Sequence, residues 1–382
     1  MRVPAESWFD LIVAGAGPAG AAAALQAIRM RPGARVLLLD KAAFPRDKPC
    51  GDGVAPHAID ELRALGAGNV TRGYRPVSRL RVRAPGGAEV AGDCARPNWV
   101  IPRAVLDARI AEAAVGAGAL LQRERVRAID EADGRVVVNG RWSAPVLIGA
   151  DGANSAVRRA LGIRPNRPGA LAIAVRGYAP APPGEPEQLI GWVDEGWPAY
   201  VWSFPIGDGR VNAGFGLLRS RFSGDRADLH DRLPELLPGL SVEPGSLRAH
   251  HLPLATERPR PGRGRVLLAG DAASLINPLS GEGIYYAVLS GRLAGAAAVT
   301  DPDRALATYQ RTLRTELGRH LRHAAVAGRA IKARRVVEAG VGAAARSPWV
   351  FDALVELALA RGGITPALAA GLARGLTSTI AV

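Results

Sequence analysis

Asp10-Leu11-Ile12-Val13-Ala14, followed at once by Gly15-Ala16-Gly17-Pro18-Ala19-Gly20, is the stretch that decides the fold. The first five residues read as a short buried strand. The glycine turn opens an alanine-rich helix predicted to run to about Arg29, and a second apolar strand, Val36 to Leu39, ends in Asp40, 20 positions beyond Gly20. A strand, tight turn, helix, strand and terminal acid in that order are what dinucleotide binding demands. Gly15 permits the turn, Gly17 leaves room for a pyrophosphate against the backbone, and Gly20 lets helix and strand pack closely. The helix N-terminus then faces the phosphates. A carboxylate at Asp40 can accept hydrogen bonds from both adenosine ribose hydroxyls and disfavours a 2′-phosphate, so the expected ligand is FAD or NAD and not NADP. Gly340-Val341-Gly342-Ala343-Ala344-Ala345 approximates the same pattern, but it follows the charged, helical stretch Lys332 to Glu338 and precedes no strand ending in an acid. It reads as a helix interruption.

Two more strand ends carry acids. Val146 to Ala150 leads into Asp151-Gly152-Ala153-Asn154-Ser155, followed by Arg158. Arg265 to Ala269 leads into Gly270-Asp271-Ala272-Ala273 and on through Asn277-Pro278-Leu279-Ser280-Gly281-Glu282-Gly283-Ile284. A carboxylate at a strand's carboxyl end can hold a ribityl hydroxyl, and the helix N-terminus beyond it can support negative charge on a reduced isoalloxazine. Either acid alone would read as a capping aspartate in a βα turn. The trio points to FAD.

With these motifs the chain resembles the FAD-dependent oxidoreductases of the aromatic-hydroxylase type, the group that contains p-hydroxybenzoate hydroxylase, over most of residues 8 to 330. The resemblance implies that the first motif contacts ADP, that Asp151 lies near the pyrophosphate, that Gly270 and Asp271 meet the ribityl chain, and that Arg103, at the start of the helical stretch Ala104 to Ala114, contacts FAD. Two local motifs are similar to the geranylgeranyl reductase subgroup. Phe44-Pro45-Arg46-Asp47-Lys48-Pro49-Cys50-Gly51-Asp52-Gly53 looks like its cysteine-glycine loop against the flavin, and Tyr200-Val201-Trp202-Ser203-Phe204-Pro205 matches its Tyr-x-Trp-x-Phe-Pro pattern, associated with isoprenoid binding. The sequence departs from that pattern at Asp52 and Ser274, where glycine is common. The cofactor-contacting set implied is Gly15, Gly17, Pro18, Ala19, Gly20, Asp40, Lys41, Arg46, Cys50, Gly51, Arg103, Asp151, Gly270, Asp271, Gly281, Gly283 and Ile284. Substrate is expected on Tyr200, Trp202 and Phe204, with Cys50, Tyr200 and Trp202 shaping the reacting site and no metal involved. Read from the residues alone, the three aromatics alternate as one face of a strand would, a pattern that serves packing as well as ligand contact. Cys50 reads either as a small buried hydrophobe or, from its glycine flank, as a residue approached closely by a ligand.

The fold expected is therefore α/β: a Rossmann-type FAD-binding domain of the glutathione-reductase kind (residues 1–75, 99–170 and 251–330), an inserted antiparallel sheet that binds substrate (76–98 and 171–250), and a C-terminal helical segment (331–382). The inserted sheet is read from Leu171 to Tyr178, Gln188 to Val193, Ala199 to Phe204 and Arg210 to Leu217, separated by Pro/Gly turns. Helix is expected from about Pro302, broken at Pro348 and Gly362-Gly363.

At 382 residues and 48% hydrophobic, the composition is that of a globular protein with no run long enough to span a bilayer. The first residues lack the basic, apolar and cleavage regions of a secretion signal, which places the expected location in the cytoplasm. Cys50 and Cys94, with 43 residues between them, are weak evidence for a disulfide or metal site. The net charge of +14 is carried almost wholly by arginine, dispersed and without any nucleic-acid-binding signature, which argues against a nucleic-acid partner. Arg319, Arg322, Arg329, Arg334 and Arg335, with His320 and His323, read either as a basic helix on anionic lipid at the membrane periphery or as a solvated face. The function expected is reduction of carbon–carbon double bonds in an isoprenoid or terpenoid. The alternatives are an FAD-dependent monooxygenase or epoxidase acting on a terpenoid alkene or aromatic ring, and a non-catalytic flavin-binding protein at a membrane. With a single fingerprint, taken by FAD, NADH, NADPH or another electron donor would visit transiently.

Overall fold

The strand Leu11–Ala14 is buried along its whole length, as a parallel strand covered by helices on both faces must be. It lies at the centre of a six-stranded sheet whose order is 262–263, 266–268, 147–149, 11–14, 36–40 and 120–123. All pairings are parallel except that of the short edge strand Gly262–Arg263. The computed structural model describes residues 7–379, leaving aside the side chains of Arg226, His230 and 374–379. The ends of the two outermost expected segments, 1–6 and 380–382, and with 1–6 the start of the leader reading, lie outside the described residues.

The glycine turn packs as its spacing predicts. Gly15 has φ +98°, and a side chain there would run into the Ala150 carbonyl; a Cβ on Gly20 would lie 1.7 Å from the Gly15 carbonyl oxygen. The helix Pro18–Met30 begins with proline at its first position and crosses the helix Ile284–Thr300 at close range, with Gly291 set against the Ala19 carbonyl. The crossing joins the first and last parts of the nucleotide-binding layer into one apolar core that also takes in Leu11–Val13 and Leu37–Leu39.

A second sheet of eight strands stands over the carboxyl ends of the first, in the order 248–253, 171–180, 210–218, 199–205, 188–193, 77–83, 89–100 and 53–54. The expected strands are all present. Every pairing is antiparallel but one: Gln188–Val193 runs parallel to Val77–Arg83. Those two strands come from separate stretches of chain, so no hairpin fixes their relative direction. One face of this sheet buries Val175, Val201, Phe215 and Leu217 against the helix Arg226–Leu236. The other face carries Tyr200 and Trp202.

C-terminal helices run Ala305–Ala330, Arg334–Arg346, Pro348–Leu359 and Pro366–Thr379, breaking at Ser347-Pro348 and around Gly362-Gly363 as expected. The expected interruption at Gly340–Ala345 is absent, because Arg334–Arg346 is one continuous helix. Interior glycines cost a helix about 1 kcal/mol each. Here Val337, Val341, Ala343 and Ala344 are buried, and burial of that face outweighs the local penalty. His320 and His323 also find their place in this packing. His320 bridges the Tyr286 hydroxyl (2.7 Å) and the Gly362 carbonyl (2.7 Å), tying the terminal helices to the nucleotide-binding layer, while His323 Nδ1 accepts from the Ile364 N–H and joins two parts of the terminal segment.

Candidate cofactor and substrate site

A cavity of about 850 Å³ opens between the two sheets and runs under the C-terminal helices. Its first part is the glycine turn. Gly15, Gly17, Pro18 and Ala19 form one wall; Gly20 stands behind them and acts through its packing on Gly15. Asp40, at the end of the second strand, accepts the Ala16 N–H (2.9 Å) and the Ala42 N–H (2.9 Å), which fixes the carboxylate at the cavity's edge beside Lys41. Asp107, which the sequence reading passed over, organises the cations nearby. Fully buried, it takes a bidentate pair from Arg103 (2.7 and 2.7 Å) and a further bond from Arg46 (3.0 Å), while Arg46 also reaches toward Asp40. Arg103 and Asp107 are i and i+4 on the helix Arg103–Gly116, a spacing legible in the sequence. Burial works against the Arg103 charge, but Asp107 and then Cys50 more than offset it and push its pKa up.

Around the middle of the cavity, Asp151 spends its carboxylate capping the short helix Ala156–Ala160 through the Ala156 N–H (2.6 Å), the Val157 N–H (3.2 Å) and the Ser155 hydroxyl. It shapes the wall by holding that turn. Gly270 and Asp271 lie opposite. Lys48 donates to Asp271 at 2.9 Å, and although burial opposes the Asp271 charge, Lys48 above all, with Arg103, holds its carboxyl below the ordinary range. Burial, reinforced by Lys48, pushes the His250 imidazole down, keeping it neutral, and its buried Nε2 has no hydrogen-bond partner among the described residues. Gly281, Gly283 and Ile284 complete this side, and between them Glu282 is pushed up to about 7 by burial, against the Tyr285 and Ile284 N–H groups. Lys48, His250 and Glu282 were not among the expected contacts; Lys48 and Glu282 lie inside the quoted motifs, whereas His250 carries no motif signal at all.

Beyond this point the cavity meets the cysteine loop and the aromatic strand. Cys50, Gly51, Tyr200, Trp202 and Phe204 all line it, so the alternating aromatics face the cavity. The Trp202 indole N–H donates to Asn212 Oδ1 (2.9 Å), and a Cβ on Gly51 would lie 3.3 Å from that same indole nitrogen. Tyr200 donates to the Ser280 carbonyl (3.3 Å) and sits edge-on to Trp192. Burial pushes the Tyr200 hydroxyl up to about 12 and raises the Cys50 thiol, so both are neutral near pH 7. Asp52 and Ser274, the two departures from glycine, prove to have φ of +59° and +56°, a left-handed backbone in which glycine carries least strain. Both side chains are fully buried and hydrogen-bonded: Ser274 accepts from Arg158 and donates to Asn166 Oδ1, while Asp52 accepts from Tyr178 and Asn212.

The rest of the cavity is a long apolar arm. The sheet contributes Leu80, Val82, Val90, Ile190 and Trp192, and the C-terminal helices contribute Val337, Val341, Ala344, Phe351, Leu354 and Leu372. Polar groups on it are few, chiefly Asn98 and Gln188, which bond to one another at 3.1 Å.

These residues fit FAD: the turn is bare of side chains where a pyrophosphate needs space, a carboxylate stands at the second strand's end, and Asp271 and a helix N-terminus flank the far side. Fold and cavity together define an FAD-dependent oxidoreductase. The chain belongs to the FAD-binding-domain family, whose model matches residues 9–311. It is 37% identical over 309 residues to menaquinone reductase of Mycobacterium tuberculosis (strain ATCC 25618 / H37Rv), covering 75% of each chain. It is 31% identical over 353 residues to digeranylgeranylglycerophospholipid reductase 2 of Methanopyrus kandleri, covering 83% of this chain and 85% of that one. A geranylgeranyl bacteriochlorophyll reductase-like structure from Thermoplasma acidophilum shares the fold with a TM-score of 0.81 at 18% identity, over 98% of this chain and 99% of the other.

Proposed function

We propose that the protein reduces carbon–carbon double bonds in the polyprenyl chain of a lipid. The observation that carries this reading is the apolar arm, which begins at Cys50, Tyr200 and Trp202 and continues under helices Arg334–Arg346 and Pro348–Leu359. An isoprenoid chain is long, branched and apolar, and a wall of Val, Leu, Ile and aromatic side chains removes it from water. The names of the two curated relatives, one a quinone reductase and one a prenyl-lipid reductase, support the same substrate class.

FAD, when bound and reduced, supplies hydride. The residues expected to hold it are the glycine turn and Asp40 at the adenosine end, Arg46 and Arg103 near the pyrophosphate, and Gly270, Asp271 and the Gly281–Ile284 turn at the flavin. Trp202 and Phe204 orient the alkene. Cys50 and Tyr200, both neutral and both on the wall, are placed to give a proton to the carbon next to the one that receives hydride. Burial of the chain excludes water from the reacting bond. An external nicotinamide or other donor restores the reduced cofactor. We assign the mobile-substrate side to residues 76–98 and 171–250, the cofactor side to 1–75, 99–170 and 251–330, and the arm's cover to 331–382. Among the described residues no helix is long and apolar enough to cross a membrane. A polyprenyl lipid would be drawn from a bilayer by peripheral contact from the cytoplasmic side, for which the exposed Arg322, Arg329 and Trp349 offer basic and aromatic groups.

Incubation of the FAD-loaded protein with a polyprenyl quinone or prenyl lipid and dithionite, followed by mass analysis of the product, tests this. Read on the polyprenyl chain after any quinol is reoxidised to quinone, the expected product has gained two hydrogens per reduced double bond and no oxygen; an unchanged chain, or a product with added oxygen, contradicts it.

A further inference from the structure

Asp52 occupies a costly position. Its backbone is left-handed, its side chain is completely buried, and it stands directly behind the cavity wall between Gly51 and Gly53. Glycine would adopt that conformation with less strain, and an aspartate there has to be accounted for by what its carboxylate does. One oxygen accepts the Tyr178 hydroxyl (2.7 Å) and the Asn212 side-chain amide (2.8 Å), and the other accepts the Arg103 N–H (3.3 Å). Asn212 is a junction: the same amide donates to the Cys50 carbonyl (2.8 Å), and its oxygen accepts the Trp202 indole N–H. One carboxylate thereby holds both the cysteine loop and the aromatic wall.

We infer that Asp52 is a positioning residue for Cys50: through Asn212 it locks the Cys50 carbonyl and the Trp202 indole into the cavity wall, and it sets a carboxylate behind the thiol. The charges around the thiol act in both directions. Arg103 and Lys48 both face Cys50 and favour the thiolate, which would be a nucleophile and not a proton donor. Burial, the largest influence, and then the Asp52 charge oppose them, while the Asp52 backbone N–H sides with the thiolate. The groups facing Asp52 are Tyr178, Asn212, Arg176 and Arg103, all of which favour its ionised form, while burial pushes its carboxyl up to about 6. Arg176 is itself anchored to Asp47 and stacked on the Tyr178 ring at 4.5 Å. Above about pH 6 Asp52 is therefore charged and supports the thiol.

This inference rests on the reading of the site as an alkene reductase. In that reaction hydride from reduced FAD forms one C–H bond, the Cys50 S–H bond breaks to supply the proton of the second, and the resulting thiolate is reprotonated from water. No further oxidant or reductant enters. A negative neighbour makes the thiolate a stronger base, which speeds its return to the thiol.

The test is the pH dependence of iodoacetamide alkylation at Cys50 in the FAD-loaded protein, with Cys50 and Cys94 quantified on separate peptides. Asp52→Asn should move the Cys50 curve to lower pH by about one unit, the size expected for removal of a close like charge. Asp52→Glu, which keeps the charge, should restore the wild-type curve, and Cys94 should not move. Asp52→Gly suits the left-handed backbone and carries the same test if the asparagine variant does not fold. A Cys50 curve unmoved in a folded neutral variant would overturn the inference. Because alkylation needs no turnover, it judges Asp52 even if no alkene is reduced; a shifted curve in a protein that reduces no polyprenyl chain would fault the functional reading alone.

Discussion

The adenosine end of the cavity and its apolar arm are built on opposite principles. At the end proposed for adenosine the wall is backbone, so the positions that matter are those where a side chain must be missing, and Gly15, Gly17 and Gly20 fall within six residues of one another. The arm is made by side chains brought from strands near 80, 90 and 190 and from helices beyond 334, and any one of them could be exchanged for another apolar residue of similar size. A site made of backbone leaves a motif, whereas a site made of volume leaves only a composition.

Substitutions at the two ends should therefore fail differently. The largest effect is expected for Gly20→Val. The added atoms meet the Gly15 carbonyl, overpacking of this kind costs about 3 kcal/mol, and flavin retention should fall by roughly 10²-fold, read from the ratio of flavin to protein absorbance. Trp202→Ala should leave that ratio unchanged while lowering turnover of a polyprenyl substrate roughly 30-fold, as loss of a buried aromatic anchor worth about 2 kcal/mol implies. Loss of flavin in that variant would move Trp202 from the substrate side to the structural side. Asp40→Ala removes a charged acceptor worth about 1.5 kcal/mol and should weaken FAD binding roughly tenfold, measured by fluorescence titration, with unchanged affinity refuting the ribose role. The smallest effect is expected for Val341→Trp, which narrows the arm. Turnover of long chains should drop about fivefold, for an overpacking cost near 1 kcal/mol, with short chains and FAD unaffected. Equal losses for short and long chains would show that the arm does not hold the chain.

How much was legible follows from the same contrast. The central strands, the helix from Pro18 and the acids at strand ends were readable because periodicity and glycine spacing act locally. The aromatic strand was readable because Tyr200, Trp202 and Phe204 alternate over five residues. Asp107 could have been found from its i, i+4 relation to Arg103, but His250 depends on strand Arg248–Pro253 being laid against Leu171–Pro180, a pairing between distant segments. The continuous helix through Gly340 was misread because two glycines weigh heavily in a local reading and the buried face that outweighs them is supplied by strands 77–83 and 89–100, far away in the chain. Asp52 and Ser274 were visible as departures from glycine; that both hold left-handed backbone, and that their side chains anchor buried networks, required the fold.

The most direct test of the central claim is the absorbance of the bound flavin, reduced under anaerobic conditions, as a polyprenyl alkene is added and oxygen is admitted only afterwards. Reoxidation before oxygen, with a saturated product, is the predicted result. Reoxidation only after oxygen, with an oxygenated product, would contradict it and make the protein a monooxygenase built on the same cavity.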